Sequence, residues 1–289
     1  MEDHVMVDAV RKIAVLGAGT MGSGIAQVAA QSGYDVVLFD LAATQLEKAQ
    51  AVIHKSLSKL AEKNLLQGTP SEVENRLHRT SHLSDLKGSD FIIEAVVENF
   101  SIKRQILQDL KPYLTAQTVF ASNTSSIPIT QLAAESPWPS QVCGMHFMNP
   151  VPLMRLVEVI RAIQTSDACL ASVRAVCERM QKTVVEVKDA PGFVVNRILI
   201  PMINEAFFVL QENLADPASV DEAMRLGCHF PMGPLQLADF VGLDVVLSVC
   251  EILQRDLGDS KYRPCPLLRQ YVQAGWHGKK TGRGVYSYA

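Results

Sequence analysis

The stretch that most narrows what this chain can fold into lies near its start. A short apolar run, Ile13 to Leu16, feeds directly into Gly17-x-Gly19-x-x-Gly22. A helical pattern follows from about Met21 to Ser32, Gly33 breaks it, and a second apolar run, Val36 to Phe39, ends on Asp40. Strand, glycine turn, helix, strand and acid in this order each have a physical job. Gly17 permits the tight turn out of the strand, Gly19 lets a pyrophosphate approach the backbone, and Gly22 lets the helix pack close to the sheet. Thr20 and Met21 open the helix, whose unpaired N–H groups and partial positive charge face the phosphates. Asp40 lies eighteen residues beyond Gly22, where a carboxylate can accept both ribose hydroxyls of an adenosine. Glycine turns are common, so the motif alone is weak; the flanking strand, helix and acid together point to a bound dinucleotide. Positions 41 to 47 carry no Arg or Lys, so a 2′-phosphate would meet Asp40 without a nearby cation. That favours NAD over NADP.

A length of 289 residues suits one large or two ordinary domains, and 48% hydrophobic residues can fill their cores. A net charge of −3 argues against a general nucleic-acid binder. The six cysteines form no CxxC pair and, with the scattered histidines, no metal-ligand spacing, so they read as buried thiols of a reducing compartment and no metal is expected. No apolar run reaches membrane length. The first residues, Met-Glu-Asp-His-Val-Met-Val-Asp, resemble neither a signal nor a transit peptide, so a cytoplasmic protein is expected.

Strand and helix patterns alternate as far as Thr183 to Val187. A long amphipathic helix is expected over about 44–66, with Lys55, Lys59 and Lys63 as a second stripe that reads as a solvated face or a strip for a phosphorylated substrate. Asp90 to Val97 reads as a buried strand, and Ser101 as the N-cap of a helix that carries Lys103 in its first turn. Thr118 to Ser122 is a strand running into the polar turn Asn123-Thr124-Ser125-Ser126, at a carboxyl end where open α/β sheets bind ligands. Asp189-Ala190-Pro191-Gly192 combines turn residues with a change of pattern, and beyond it strand signals vanish. Helices are expected over 193–212, from Asp216-Pro217 to Gly227, over 234–257 with Gly242 inside, and over 266–274. The expected architecture is an α/β Rossmann-type dinucleotide-binding domain, residues 1–188, followed by an all-α C-terminal domain, residues 189–289. A helical module this small and apolar often buries a face against a second subunit.

His146 and Glu158 flank a reversal centred near residue 152, so two strands pairing across it would set them face to face. Glu158 has apolar neighbours on both sides, and a buried carboxylate there is costly without a cation or donors. A histidine would supply one, and the carboxylate would orient the imidazole and stabilise its protonated form. His146 is therefore a candidate general base, against the bland alternative of a core histidine bonded to backbone. Ser125 could donate to a substrate oxygen or be a simple turn serine; Asn196, opening the first helix after the break, could do the same or merely cap and pack.

The chain resembles the 3-hydroxyacyl-CoA dehydrogenase family over nearly all its length. The likeness rests on Gly17-Ala-Gly-Thr-Met-Gly-Ser-Gly24, Glu94-Ala-Val-Val-Glu-Asn99, Ser122-Asn-Thr-Ser-Ser126, His146-Phe-Met-Asn-Pro150, Asp189-Ala-Pro-Gly-Phe-Val-Val-Asn-Arg197 and Gly233-Pro-Leu-Gln-Leu-Ala-Asp239, in family order. The resemblance implies NAD-dependent oxidation of an (S)-3-hydroxyacyl-CoA thioester, with His146 as base and Glu158 as its partner. It implies that Ser125 and Asn196 hydrogen-bond substrate oxygens and that Asn149 lies on the nicotinamide side. Glu98 and Lys103 resemble the family's cofactor contacts, Lys63 falls where a family lysine meets the CoA end, and a homodimer through the helical domain is implied. Two other readings stand beside it: a short-substrate β-hydroxyacid dehydrogenase, whose lysine base is missing from residues 192–212, and a non-catalytic dinucleotide-binding protein on the same fold.

Overall fold

The computed structural model describes residues 10–288; the acidic N-terminal segment, with His4, lies outside the described residues. They form two compact units that divide between Ala190 and Pro191, where the sequence reading divides them after residue 188.

The first unit runs β1 (Lys12–Leu16), α1 (Thr20–Gln31), β2 (Asp35–Phe39), α2 (Ala43–Glu62), α3 (Pro70–Glu74), β3 (Leu77–Thr80), β4 (Phe91–Glu94), α4 (Phe100–Leu110), β5 (Val119–Ser122), α5 (Ile129–Ala134), β6 (Val142–Phe147), β7 (Leu156–Arg161), α6 (Asp167–Arg179), β8 (Thr183–Lys188). The strands make one eight-stranded sheet in the order β3-β2-β1-β4-β5-β6-β7-β8. Each neighbouring pair is parallel except β6–β7, which is antiparallel. The chain leaves β1 toward β2 and β3 on one side and returns to β4 on the other. The switch point therefore lies between β1 and β4, beside the glycine turn.

Strand residues alternate between the two faces. On one face Ile13, Val15, Val36, Leu38, Phe91, Ile93, Met145, Phe147, Val157 and Val159 join the apolar sides of α1, α2 and α6 in a single buried cluster. The cross-strand registers place Glu94, Ser122, His146 and Glu158 on the opposite face. The buried polar groups of the central strands are thereby kept out of the main core.

The second unit is helical: α7 (Val195–Gln211), α8 (Pro217–Gly227), α9 (Pro234–Val241), α10 (Leu243–Leu257) and α11 (Pro266–Gln273). Ile203, Phe207, Leu235, Leu243, Val246, Leu253 and Leu268 form its core. Two buried carboxylates tie the segments together. Asp221 accepts from the backbone N–H groups of Leu235 and Gln236 at 2.7 and 2.9 Å, and Asp239 from those of Val285 and Tyr286 at 2.9 Å each. No helix among the described residues is long and apolar enough to cross a membrane.

Several sequence expectations are corrected. The helix expected to span 234–257 breaks at Gly242, whose φ of +101° lies outside the helical region. The helix after β4 is capped not by Ser101 but by Asn99, whose Oδ1 accepts from the Ile102 N–H at 3.2 Å. The strand expected over 90–97 is shorter, because both end carboxylates turn to backbone donors. Asp90 accepts from Arg11 and Lys12 at 2.8 and 3.0 Å, and Glu94 from Val96 at 2.8 Å. Helix α2 stops at Glu62, and Asn64 then takes a φ of +56°. Five cysteines are buried as expected, but Cys228 is exposed.

Candidate active site

The glycine turn is constrained at two of its three glycines by the protein itself. Gly17 has φ +94°, and a Cβ there would stand 2.6 Å from the Ala95 carbonyl oxygen; a Cβ on Gly22 would stand 1.8 Å from that of Gly17. Gly19 is different: a Cβ there would meet nothing within 4 Å. The open space above Gly19 lies at the N-terminus of α1, which has no side-chain cap and no acid in its first turn. The donors of Thr20 and Met21 and the partial charge of the helix end are thus left for an anion, and the residues present fit a dinucleotide pyrophosphate. Asp40 stands at the end of the neighbouring β2. Its Oδ2 accepts from the Ala18 N–H at 2.8 Å and its Oδ1 from the Ala42 N–H at 2.9 Å. A carboxylate has about four acceptor positions, so one that is fixed in this way keeps capacity for a ribose diol.

Across the switch point, Glu98 gathers the turn that follows β5. Its Oε1 accepts from Thr124 Oγ1 at 2.6 Å, the Ser125 N–H at 2.9 Å, Ser126 Oγ at 2.9 Å, the Ser126 N–H at 3.1 Å and Ser125 Oγ at 3.3 Å. Its Oε2 faces Lys103 Nζ at 3.3 Å. Burial alone would raise the Glu98 carboxyl, but the Lys103 charge and the donors of Thr124, Ser126 and Ser125 outweigh it. The net displacement is below the usual glutamate value. Lys103 itself is turned inward, 1% exposed, with Nζ 2.7 Å from Glu94 Oε1. The resemblance makes Lys103 a cofactor contact; in the fold its ammonium is taken up by Glu94 and Glu98.

His146 and Glu158 are direct partners in the antiparallel register of β6 and β7. His146 Nδ1 lies 2.8 Å from Glu158 Oε2. The carboxylate is fully buried and the imidazole is 7% exposed. A nearly dry ion-pair geometry of this kind holds the ring orientation and stabilises an imidazolium if one forms. Neighbouring β5 is locked to the same strand, since Asn123 Oδ1 accepts from the Phe147 N–H at 2.9 Å. The loop between β6 and β7 is held by Lys182, whose Nζ donates to the carbonyls of Val151 and Met154 at 2.6 and 2.7 Å. Asn149 lies in that loop, exposed, before a cis peptide bond to Pro150.

The family is decided by two profile matches. Residues 12–190 match that described as "3-hydroxyacyl-CoA dehydrogenase, NAD binding domain", and residues 192–288 the corresponding C-terminal domain. The chain belongs to the 3-hydroxyacyl-CoA dehydrogenase family. The "Probable 3-hydroxybutyryl-CoA dehydrogenase" of Deinococcus radiodurans is 52% identical over 277 residues, 96% of this chain and 100% of that one. The 3-hydroxybutyryl-CoA dehydrogenase of Bradyrhizobium diazoefficiens is 47% identical over 98% of this chain and 97% of its own. Among solved structures, (S)-3-hydroxybutyryl-CoA dehydrogenase from Ralstonia eutropha superposes with a TM-score of 0.94 at 47% identity, covering 97% of this chain and 100% of that one. The family's cofactor is NAD, in keeping with the Asp40 end of the glycine turn.

For this family member, the first unit brings Gly17, Gly19, Thr20, Met21, Gly22 and Asp40 together at one strand end, and Glu98, Lys103 and Ser125 together at the next. It also pairs His146 with Glu158. Lys63 stands apart: it caps the far end of α2, a helix about 30 Å long that starts just after Asp40. Lys55, Lys59 and Lys63 are all exposed. Asn196 is half-buried in the first turn of α7, in the second unit. Residue reasoning missed Glu94, Asn123 and Lys182. Glu94 had a visible signal, a carboxylate inside the apolar run Phe91-Ile-Ile-Glu-Ala-Val-Val97 and nine residues before a lysine, and Asn123 opened the polar turn after β5.

Proposed function

We propose that this chain interconverts an (S)-3-hydroxyacyl-CoA and the corresponding 3-oxoacyl-CoA, with short acyl chains such as 3-hydroxybutyryl as its substrates. One observation carries the reading: the buried pair of His146 and Glu158 at 2.8 Å, on the sheet that also carries the cofactor turn. NAD, when bound, supplies the acceptor for the hydride that leaves C3. With Nδ1 held by Glu158, His146 takes the 3-hydroxyl proton on Nε2 during oxidation and returns it during reduction. Glu158 offsets the positive charge that the ring then carries. Ser125 and Asn196 hydrogen-bond substrate oxygens near the reacting carbon. Asn149 shapes the nicotinamide side, Asp40 takes the adenosine ribose, and Glu98, steadied by Lys103, orders the turn between them. Lys63 meets the nucleotide end of CoA, a role its distance from Asp40 along α2 allows in a substrate that is itself long. A homodimer through the helical unit and a cytoplasmic location complete the proposal; the buried, unpaired thiols support the latter.

The test is initial rates of NADH oxidation with 3-oxoacyl-CoA thioesters of increasing chain length, repeated with NADPH, for the wild type and His146→Gln. The expected outcome is a preference for short chains and NADH. The variant should lose roughly 10²- to 10⁴-fold in kcat while NADH binding is kept. Near-normal turnover in the variant would remove His146 as the base.

A further inference from the structure

Glu94 has no role in the chemistry described so far, yet it is a fully buried carboxylate with three hydrogen-bond donors. It is 0% exposed at the end of β4. Its Oε1 accepts from Lys103 Nζ at 2.7 Å and the Val96 N–H at 2.8 Å, and its Oε2 from Ser122 Oγ at 2.6 Å. Ser122 Oγ accepts in turn from the Thr124 N–H at 3.3 Å. Glu94 therefore reaches the Asn123–Ser126 turn by two routes. One runs through Ser122 on β5. The other runs through Lys103, which is shared between Glu94 at 2.7 Å and Glu98 at 3.3 Å. Charges buried this deeply stay ionised only if each is opposed and hydrogen-bonded. Without the negative charge of Glu94, Lys103 would have a single carboxylate left to satisfy it, and the 3.3 Å gap to Glu98 leaves room to close. Closing it would draw the carboxylate off the five donors that Thr124, Ser125 and Ser126 offer to its other oxygen.

We propose that Glu94 is a positioning residue for the reaction. As the buried counter-ion of Lys103, it divides that cation between itself and Glu98, and so fixes the Glu98 carboxylate at the centre of the turn that presents Ser125. The inference rests on the role given to Ser125 above.

Glu94→Gln separates charge from shape. The amide oxygen can still accept from Lys103 and Val96, and the amide nitrogen can donate to Ser122 Oγ, whose hydroxyl can reverse. In the full-length enzyme, with 3-oxobutyryl-CoA and NADH, the variant should lose roughly 10- to 100-fold in kcat, the scale of a sub-ångström to ångström displacement of a substrate-positioning group. In a Ser125→Ala background the same change should cost less than about twofold, because the two residues act in series. Hydrogen exchange of the cofactor-free protein should show the Ser125 and Ser126 amides losing protection in Glu94→Gln while the β1 amides keep theirs. A kcat within twofold of wild type, a full additional loss in the Ser125→Ala background, or unchanged exchange at Ser125 and Ser126 each overturns the assignment. Should Glu94→Gln fail to fold, Ser122→Ala carries the test. It removes the donor to Oε2 and should give a smaller loss of the same kind, and an unchanged kcat would overturn the proposal. A wild-type enzyme inactive on every 3-oxoacyl-CoA would instead take down the functional reading and this inference with it.

Discussion

Replacing Glu158 by Gln separates the two things the carboxylate supplies to His146: a hydrogen-bond acceptor in a fixed place and a negative charge. The residue is fully buried between β6 and β8, so an isosteric side chain keeps the packing and the strand register. The glutamine oxygen can still accept from Nδ1 at the 2.8 Å position of Oε2. What disappears is the charge that favours the imidazolium formed when the substrate proton arrives. A charge-assisted hydrogen bond stabilises by about 1.5–3 kcal/mol and a neutral one by about 0.5–1.5 kcal/mol, so the change removes roughly 1–2 kcal/mol from the protonated ring. At about 1.4 kcal/mol per factor of ten, kcat should fall roughly 5- to 30-fold. This holds for oxidation, where the KM for (S)-3-hydroxybutyryl-CoA should stay within about twofold, because the ring is neutral in that ground state and loses little. Steady-state rates in both directions, with circular dichroism to verify the fold, measure this. If kcat stays within twofold of wild type, the charge of Glu158 has no part in the chemistry and the pair is a packing feature.

The glycines make a differential prediction. Gly19→Ala, with φ −71° and open space around the new Cβ, should change unfolding free energy by less than about 0.5 kcal/mol yet weaken NADH binding by roughly tenfold or more, because the methyl occupies the anion's place. Gly22→Ala, with a contact of 1.8 Å to a backbone carbonyl, should instead destabilise the fold by about 3 kcal/mol or more in urea titrations. Equal effects of the two on stability would refute the distinction. Lys63→Ala should raise the KM for acyl-CoA about two- to fivefold, the scale of one exposed charge contact, and leave it unchanged for a substrate without the nucleotide. Glu98 titrates below the usual glutamate value in the folded protein, so its stabilising effect is complete above the unfolded value of about 4.3 and is lost as pH falls through the lower folded one. The stability difference between wild type and Glu98→Gln should therefore shrink as the pH is lowered from about 5 to 3, and a constant difference in acid denaturant titrations would contradict the network drawn around that carboxylate.

Much of this molecule is written locally. The Gly17–Gly22 turn and Asp40 could be read because each depends on residues close in sequence: a strand period, a helix start, a carboxylate at a strand end. The pairing of His146 with Glu158 was also legible, since a short reversal fixes its own register and residues equidistant from its centre must meet. The Ser101 cap failed for the converse reason: Asn99 and Ser101 are both capable caps, and the choice depended on where β4 ends. The helix expected through Gly242 failed because apolar periodicity continues across a residue whose left-handed φ breaks the helix itself.

The sequence by itself determined the glycine turn, the carboxylate at the end of β2 and the pairing of His146 with Glu158, because these rest on short-range geometry and on which side chains can carry a charge. Only the tertiary structure decided what the turn motifs do for one another. The pairing of β4 with β5 brings Glu94, Glu98 and Lys103 to Ser122–Ser126 from two segments of chain, and no apolar or helical period encodes how a buried lysine is shared between two carboxylates. That sharing depends on distances of 2.7 and 3.3 Å within the β4–α4 segment, and its reach to Ser122–Ser126 depends on β4 lying beside β5. The first glycine turn thus specifies what accepts the hydride. The packing of β4 against β5 sets how firmly the groups around it are held.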